Sequence, residues 1–115
     1  MKLKFMLKDN HIFLQHILES IDLIQKHTKG ISLEYFTKSW PLIDASIRRI
    51  EIIGEAANKI SSDFKNKHKE IPWRDIIGMR NVLIHEYFDV DEVEVWKTIK
   101  TDLPKLKKLI SKILK

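Results

Sequence analysis

The feature that most constrains the fold of this chain is the spacing of apolar residues between residues 41 and 60. Apolar side chains recur there at steps of three and four residues, at Ile43, Ile47, Ile50, Ile53, Ala57 and Ile60. Such steps place side chains on one face of an α-helix, whereas a half-buried β-strand needs alternation at every second residue. Pro41 suits the first turn of such a helix. The spacing therefore predicts a long core helix that ends near Ile60.

Three further segments show helical spacing. We expect one helix from about Asp9 to His27, one restarted by Pro72, and one that begins at Asp91 and is kinked or divided by Pro104. No segment alternates like a strand. The pattern predicts an all-α fold, an antiparallel up-and-down four-helix bundle with additional short helices.

Apolar stripes on the first and last helices complete the predicted core. They comprise Ile12, Leu14, Ile17, Ile21 and Ile24 on the first helix, and Val93, Trp96, Ile99, Leu103, Leu106, Ile110 and Leu114 on the last. His16 lies within the apolar stripe of the first helix. We interpret Trp40, Trp73 and Trp96 as packing anchors, since large aromatic side chains contribute most when buried.

Length, charge and cysteine content limit the class of protein. The 115 residues predict one domain, residues 1–115, with enough chain to bury a core. The chain has no cysteine, so nothing in it requires an oxidising compartment. It also has no apolar segment long enough for a signal peptide or a membrane span, and we expect a cytoplasmic protein without a membrane partner.

The formal net charge of +5 favours an anionic partner such as nucleic acid. Much of the excess lies in the last helix, at Lys97, Lys100, Lys105, Lys107, Lys108, Lys112 and Lys115. A lysine-rich terminal helix is more often a solvated face than a binding surface. A binding role and a purely solvated face both stay open for this helix.

The residues with the most chemistry lie in the segment RNVLIHEY, residues 80–87. Arg80 stays charged and can donate two hydrogen bonds to phosphoryl oxygens, while the imidazole of His85 can move a proton near neutral pH. Asn81 can orient the imidazole or the phosphate. At about 100° per residue, Arg80 and His85 lie roughly 140° apart on one helix. Two antiparallel copies would bring both residue types to one cleft, so the spacing favours a composite site in a homodimer.

These residue types indicate cleavage of RNA rather than DNA. His85 would take the proton of a ribose 2′-hydroxyl, and Arg80 would stabilise charge on the phosphoryl group during internal transesterification. The product would carry a 2′,3′-cyclic phosphate. His85 and Glu86 are not followed by a second histidine at the spacing of a zinc protease, so we expect no metal site and no cofactor.

The pattern of Arg80, four residues, His85, one residue and Tyr87 resembles the signature of the HEPN superfamily, and within it the HepT toxins of HepT/MntA toxin–antitoxin systems. Four further segments resemble HepT segments in order and spacing: IGEAA at residues 53–57, IPWR at 71–74, IGMRN at 77–81 and DLP at 102–104. The likeness thus covers nearly the whole chain.

The resemblance implies specific roles for these residues. Arg80 and His85 would form a metal-independent ribonuclease site at a homodimer cleft, supported by Asn81. Tyr87 would be the position that a partner nucleotidyltransferase, MntA, modifies with AMP to silence the toxin. The substrate would be RNA, with tRNA, messenger and ribosomal RNA left open.

Two acidic residues are further candidates for a supporting role. Glu55 is the odd polar residue of an otherwise apolar helix, so we expect it to be exposed or paired with Arg48, Arg49 or Arg80. Glu86 lies next to His85.

Two other classes of function compete with the nuclease. The same cleft could hold a nucleotide phosphate without cutting RNA, which would make the chain a binding partner of a nucleotidyltransferase. A basic helical scaffold with no site would instead leave Arg80 in solvent and Tyr87 in the core. Binding a phosphate does not need a group that titrates near neutrality, so the complete set of Arg80, Asn81 and His85 favours the nuclease.

Overall fold

A computed structural model describes the backbone of residues 2–85 and 91–115 and the side chains of residues 10–81 and 91–115. Seven α-helices and one π-helical segment make up this part of the chain, and no strand occurs in it. The helices are α1 (Lys2–Thr28), α2 (Leu33–Lys38), α3 (Trp40–Lys59), α4 (Ser62–Lys67), α5 (Trp73–His85), α6 (Glu92–Lys97) and α7 (Leu103–Ile113). The π-helical segment, Thr98–Asp102, joins α6 to α7. The predicted all-α fold is confirmed.

Contacts between distant residues show that the long helices alternate in direction. Asn10, early in α1, hydrogen-bonds Ser61, which follows the end of α3, so these two helices are antiparallel. Helix α5 starts beside the end of α3 and packs back along it. The Lys107 Nζ of α7 lies 2.8 Å from an Asp22 carboxylate oxygen, and Lys100 donates to the Thr28 carbonyl, so α7 is antiparallel to α1. The arrangement is up and down, as predicted.

The core is built from the isoleucine-rich faces of α1, α3 and the last helices. Every apolar residue predicted for the core face of α3 is buried. Three other predictions are wrong, because Ile12, Val93 and Trp40 are 42%, 38% and 70% exposed. Ile12 and Val93 each lie two residues from a buried neighbour, which turns them about 160° away from the core face. Trp40 begins α3 one turn before its first buried isoleucine, and the described chain leaves it uncovered.

Helix ends follow local chemistry at most of the predicted positions. The side chains of Ser32 and Asp91 accept hydrogen bonds from the first turns of α2 and α6. The expected start at Asp9 is wrong, because α1 already begins at Lys2, and no glycine or proline interrupts residues 2–8. Pro104 divides the last helix as predicted. Its missing N–H removes one α-helical bond, and the π-helical segment precedes it, with the Leu103 N–H bonded to the Thr98 carbonyl.

The segment from residue 60 to residue 73, which we call the α4 corner, fixes where α5 begins. Trp73 is buried, its indole N–H donates to the His68 carbonyl at 3.0 Å, and its ring packs edge-on to Phe64. The Asn10 amide accepts from the Ser61 N–H at 3.0 Å and donates to its hydroxyl. These contacts tie the start of α5 to α1 and α4. None of the described helices combines the length and the apolar character needed to cross a membrane.

Candidate functional site

The stem of Arg80 packs directly on the backbone of α3. Gly54 is buried at this contact, and a Cβ added to it would overlap the Cβ of Arg80 and lie 2.8 Å from its Cγ. The same Cβ would lie 3.2 Å from the Ile76 carbonyl oxygen. Glycine at position 54 therefore allows α3 and α5 to approach closely, and this contact fixes the first part of the arginine side chain.

The guanidinium of Arg80 is held by its neighbour. Its Nη1 donates to the Asn81 Oδ1 at 3.0 Å, in an exposed contact. The Nε is buried and has no hydrogen-bond partner within the described residues. The stem is thus enclosed while the Nη1 end reaches the surface. A guanidinium held in this way can donate to the oxygens of an incoming phosphate.

The structure brings together only part of the predicted site. Arg80, Asn81 and His85 all belong to α5, and the backbones of Arg80 and His85 are separated along its axis by about 7.5 Å. The side chain of His85 lies outside the described part of the chain, as do Glu86 and Tyr87. The roles of these three residues stay predictions. Asn81 contacts the guanidinium of Arg80, and its expected role of orienting the imidazole or the phosphate stays a prediction.

Glu55 is half-buried, and within the described residues it forms no ion pair with Arg48, Arg49 or Arg80, so the structure shows neither of the two expected environments. Its supporting role stays a prediction. Arg48 instead lies 3.6 Å from the Glu51 carboxylate on the same helix. Glu55 follows Gly54 by one residue and so points about 100° away from the contact with α5.

A shallow groove runs between α5 and α7, next to the turn that carries Arg80. It measures about 360 Å³ and includes Ile76, Met79 and Leu106 on its apolar wall, with Asp75 and Lys105 among its polar residues. Glu70 lies in the same groove. A hydrogen bond from its own backbone N–H holds the pKa of the Glu70 carboxyl below its usual range, and His68 at 3.4 Å adds to this effect.

The described side chains contain no group of three histidine, cysteine, aspartate or glutamate residues that could bind one metal ion. In the described part of the chain, the site therefore consists of the Arg80 guanidinium, the Asn81 amide and the α3 backbone at Gly54, against which the arginine packs.

Sequence reasoning missed the importance of Gly54. It appeared only as part of the IGEAA segment, although the sequence carried a signal for it. Glycine inside a helix costs about 1 kcal/mol relative to alanine. A glycine in the middle of an otherwise regular core helix therefore indicates a close approach by another element.

Comparisons with known proteins show the family to which the chain is related. A family model described as "Ribonuclease HepT-like" matches residues 17–113. The chain is 47% identical over 103 residues to a protein of Thermococcus cleftensis named "Probable ribonuclease HepT", which covers 90% of this chain and 94% of that protein. It is 43% identical over 102 residues to a "Putative RNase" of Caldanaerobacter subterraneus subsp. tengcongensis, which covers 89% of this chain and 91% of that protein.

A longer relative occurs in Methanocaldococcus jannaschii. It is named "Gamma-glutamylcyclotransferase and putative RNase", and it is 49% identical to this chain over 109 residues. The match covers 95% of this chain, which spans about half (49%) of the length of that relative. No solved structure matches the chain.

Proposed function

We propose that this chain, which belongs to the HepT-like ribonuclease family, is a metal-independent ribonuclease toxin that cuts RNA at a site shared by two copies. The observation that carries the proposal is the state of Arg80. Its stem is fixed against Gly54, and its guanidinium is oriented by Asn81 at the surface. A cation held before the substrate arrives stabilises developing charge without a cost of reorganisation.

The proposed reaction is an internal transesterification. His85 takes the proton of the ribose 2′-hydroxyl, and the 2′ oxygen attacks the adjacent phosphorus atom. The bond from phosphorus to the 5′ oxygen breaks, and a protonated imidazole returns a proton to that oxygen. The products are a 2′,3′-cyclic phosphate and a 5′-hydroxyl. Arg80 donates to the phosphoryl oxygens while their negative charge increases.

The angular separation of the two residues supports a dimeric site. Arg80 and His85 lie roughly 140° apart on α5, so one ideal helix does not direct both to one phosphate. Two antiparallel copies related by a twofold axis would bring Arg80 and His85 of both copies around one cleft. Each composite site then contains groups from both protomers.

Regulation by adenylylation forms the second part of the proposal. A cognate nucleotidyltransferase related to MntA would transfer AMP from ATP to the Tyr87 phenol, with pyrophosphate as the leaving group. The added phosphate carries negative charge seven residues after Arg80. It would occupy the anion site of the guanidinium and exclude RNA. This part follows from the family resemblance, which identifies the tyrosine two residues after the histidine as the modified position.

Cleavage of total RNA by the unmodified protein in excess EDTA tests the nuclease. We expect cutting that resists EDTA and leaves cyclic phosphate ends. Arg80→Ala should slow it by about 10²- to 10³-fold, and His85→Ala by about 10²- to 10⁴-fold. Arg74→Ala and His27→Ala are matched controls, because both side chains are exposed on described helices away from the Arg80 contact. Neither control should change the rate.

The same experiment separates the nuclease from the binding module. Intact RNA with every variant, from protein shown by mass to carry no AMP, would contradict the nuclease and favour a nucleotide-binding partner of a nucleotidyltransferase. For the regulatory part, incubation with the nucleotidyltransferase and ATP should add one AMP to the chain. The Tyr87→Phe variant should take up none and should stay active.

A further inference from the structure

Two aromatic rings lie open to solvent where α2 meets α3, in a region that we call the α2–α3 corner (residues 32–41). Trp40 is 70% exposed and Tyr35 is 61% exposed, the two highest values among the exposed large hydrophobic residues. Within the described chain, neither ring contacts another ring, and neither the indole N–H nor the phenol has a hydrogen-bond partner. Among the described residues, both rings and their polar groups therefore have no partner.

The two rings line a cavity that also contains polar groups. Its volume is about 650 Å³, and it is wide open to solvent rather than enclosed. Ser32, Glu34, Lys38 and Ser39 line it together with the rings. The Lys38 ammonium lies 3.2 Å from the Glu34 carboxylate, so the two charges largely cancel. An uncharged, planar group with hydrogen-bonding edges fits this lining better than a phosphate does.

The cavity lies at the end of the bundle toward which α5 runs. Arg80 contacts α3 at Gly54, and Trp40 begins α3 fourteen residues earlier, which is about 21 Å along the helix. Helix α5 is antiparallel to α3, and its His85 backbone lies about 7.5 Å beyond Arg80 in the same direction. The axial distance from His85 to Trp40 is then about 13 Å, or roughly four stacked nucleotides at 3.4 Å each.

We propose that the α2–α3 corner binds an unpaired base of the RNA substrate, stacked on Trp40 or between Trp40 and Tyr35. This inference rests on the proposed function insofar as RNA is the ligand. Bases stack on exposed aromatic rings with little regard to sequence, while Ser32, Ser39 and Glu34 offer hydrogen bonds to a base edge. The lining is concave and nearly half polar, which suits both the face and the hydrogen-bonding edge of a single base. The corner positions substrate and takes no part in the proton transfers.

Binding of an RNA that cannot be cleaved tests the inference. The probe is a 2′-O-methyl oligonucleotide of about ten nucleotides, compared with an abasic strand of the same length. The full-length chain carrying Trp40→Ala should bind the base-bearing probe about 5- to 150-fold more weakly, the range for loss of one stack. Its affinity for the abasic strand should not change. The slope of affinity against salt should also be unchanged, because no phosphate contact is removed.

Matched variants exclude a general effect on the fold. Trp40→Phe keeps a ring and should restore most of the affinity, whereas Leu23→Ala, exposed on α1, should have no effect. Equal affinity of native protein and Trp40→Ala for the base-bearing probe would overturn the inference. So would a Trp40→Ala variant that keeps its RNA affinity but no longer self-associates in sedimentation or no longer binds a nucleotidyltransferase.

The two proposals fail in different ways. A dinucleotide is too short to extend from Arg80 to Trp40, so the native protein and Trp40→Ala should cleave it at the same rate. A protein that cleaves nothing but needs Trp40 to bind bases would contradict the nuclease and leave the base site standing. A protein that cleaves RNA but binds the base-bearing probe equally well with and without Trp40 would contradict the base site and leave the nuclease standing.

Discussion

The α4 corner and the α2–α3 corner each contain a tryptophan next to a proline at the start of a long helix. The two tryptophans differ in burial and in hydrogen bonding. Trp73 is 8% exposed, donates its indole N–H to the His68 carbonyl and packs against Phe64. Trp40 is 70% exposed and has no polar partner in the described chain. The first side chain fixes the position of α5, and the second is available to a ligand.

This difference shows which groups hold the candidate site in place. Helix α5 is immobilised at its start by Trp73 and again at Gly54, where the stem of Arg80 meets α3. At the α4 corner, the Trp73 indole N–H and the Asn10 amide form hydrogen bonds within the chain, which offset the loss of their hydrogen bonds to water. At the α2–α3 corner the polar atoms of the two rings have no partner in the part of the chain that the structure describes. A ligand is then the natural partner for them, and the folded state does not depend on them.

The largest expected effect distinguishes the two tryptophans by stability. Trp73→Ala should lower the free energy of unfolding by about 3–5 kcal/mol, because it removes a buried ring and leaves the His68 carbonyl without its indole donor. Trp40→Ala should change it by no more than about 0.5 kcal/mol, as an exposed position does. Urea denaturation of both variants and the native protein measures the difference.

An equal loss for both variants would break the comparison, since it would mean that Trp40 is buried in the folded protein in solution. Dependence of the Trp40→Ala loss on protein concentration would then identify a self-association that covers the ring.

The contact at Gly54 sharpens the comparison, because it is the second point at which α5 is fixed. Gly54→Ala should destabilise the protein by about 1–3 kcal/mol from overpacking against Arg80, less up to about 1 kcal/mol gained in helix propensity. Cleavage should fall further than stability alone explains, because the guanidinium is displaced. Thermal unfolding and cleavage rates in EDTA measure the two effects.

Gly78→Ala is the matched control for this change. Gly78 also lies inside a helix, and a Cβ there would meet no atom within 4 Å. The control should be neutral or stabilising by up to about 1 kcal/mol, with full activity. A Gly54→Ala protein that behaves like this control would contradict the proposed role of the close approach.

Much of the fold followed from the sequence, because its signals are local. The three- and four-residue steps of α3 predicted its buried face correctly. Asp91 begins α6 as predicted, and Ser32 begins α2, each by accepting a hydrogen bond from the first turn of its helix. Trp40 was predicted to be buried from its residue type. Whether a neighbouring helix covers the first residue of α3 depends on the tertiary arrangement, which periodicity does not contain.

The candidate site was less predictable for the same reason. The pairing of Arg80 with Asn81 joins adjacent residues, and the motif indicated both. The contact of Arg80 with Gly54 joins residues 26 positions apart. The sequence indicated instead that the next residue, Glu55, is exposed or paired with one of three arginines. A shift of one residue on a helix turns a side chain by about 100°, so the identity of the partner required the structure.

The smallest expected effect concerns a charge at the α4 corner. The backbone N–H of Glu70 and, to a lesser degree, His68 hold the pKa of the Glu70 carboxyl below its usual range. A lowered pKa in the folded state means that the carboxylate adds stability above its unfolded pKa, and that this stability is lost as the pH falls through the folded pKa.

The Glu70→Gln variant tests this contribution. When the pH is lowered from 7 to the acidic range where carboxyl groups titrate, its melting temperature should fall slightly less than that of the native protein. Glu19→Gln, exposed on α1 without a described hydrogen bond or ion pair, should follow the native curve. Coincident melting curves for native protein and Glu70→Gln would show that the contacts of this exposed carboxylate add nothing in water, and that the α4 corner depends on its buried groups alone.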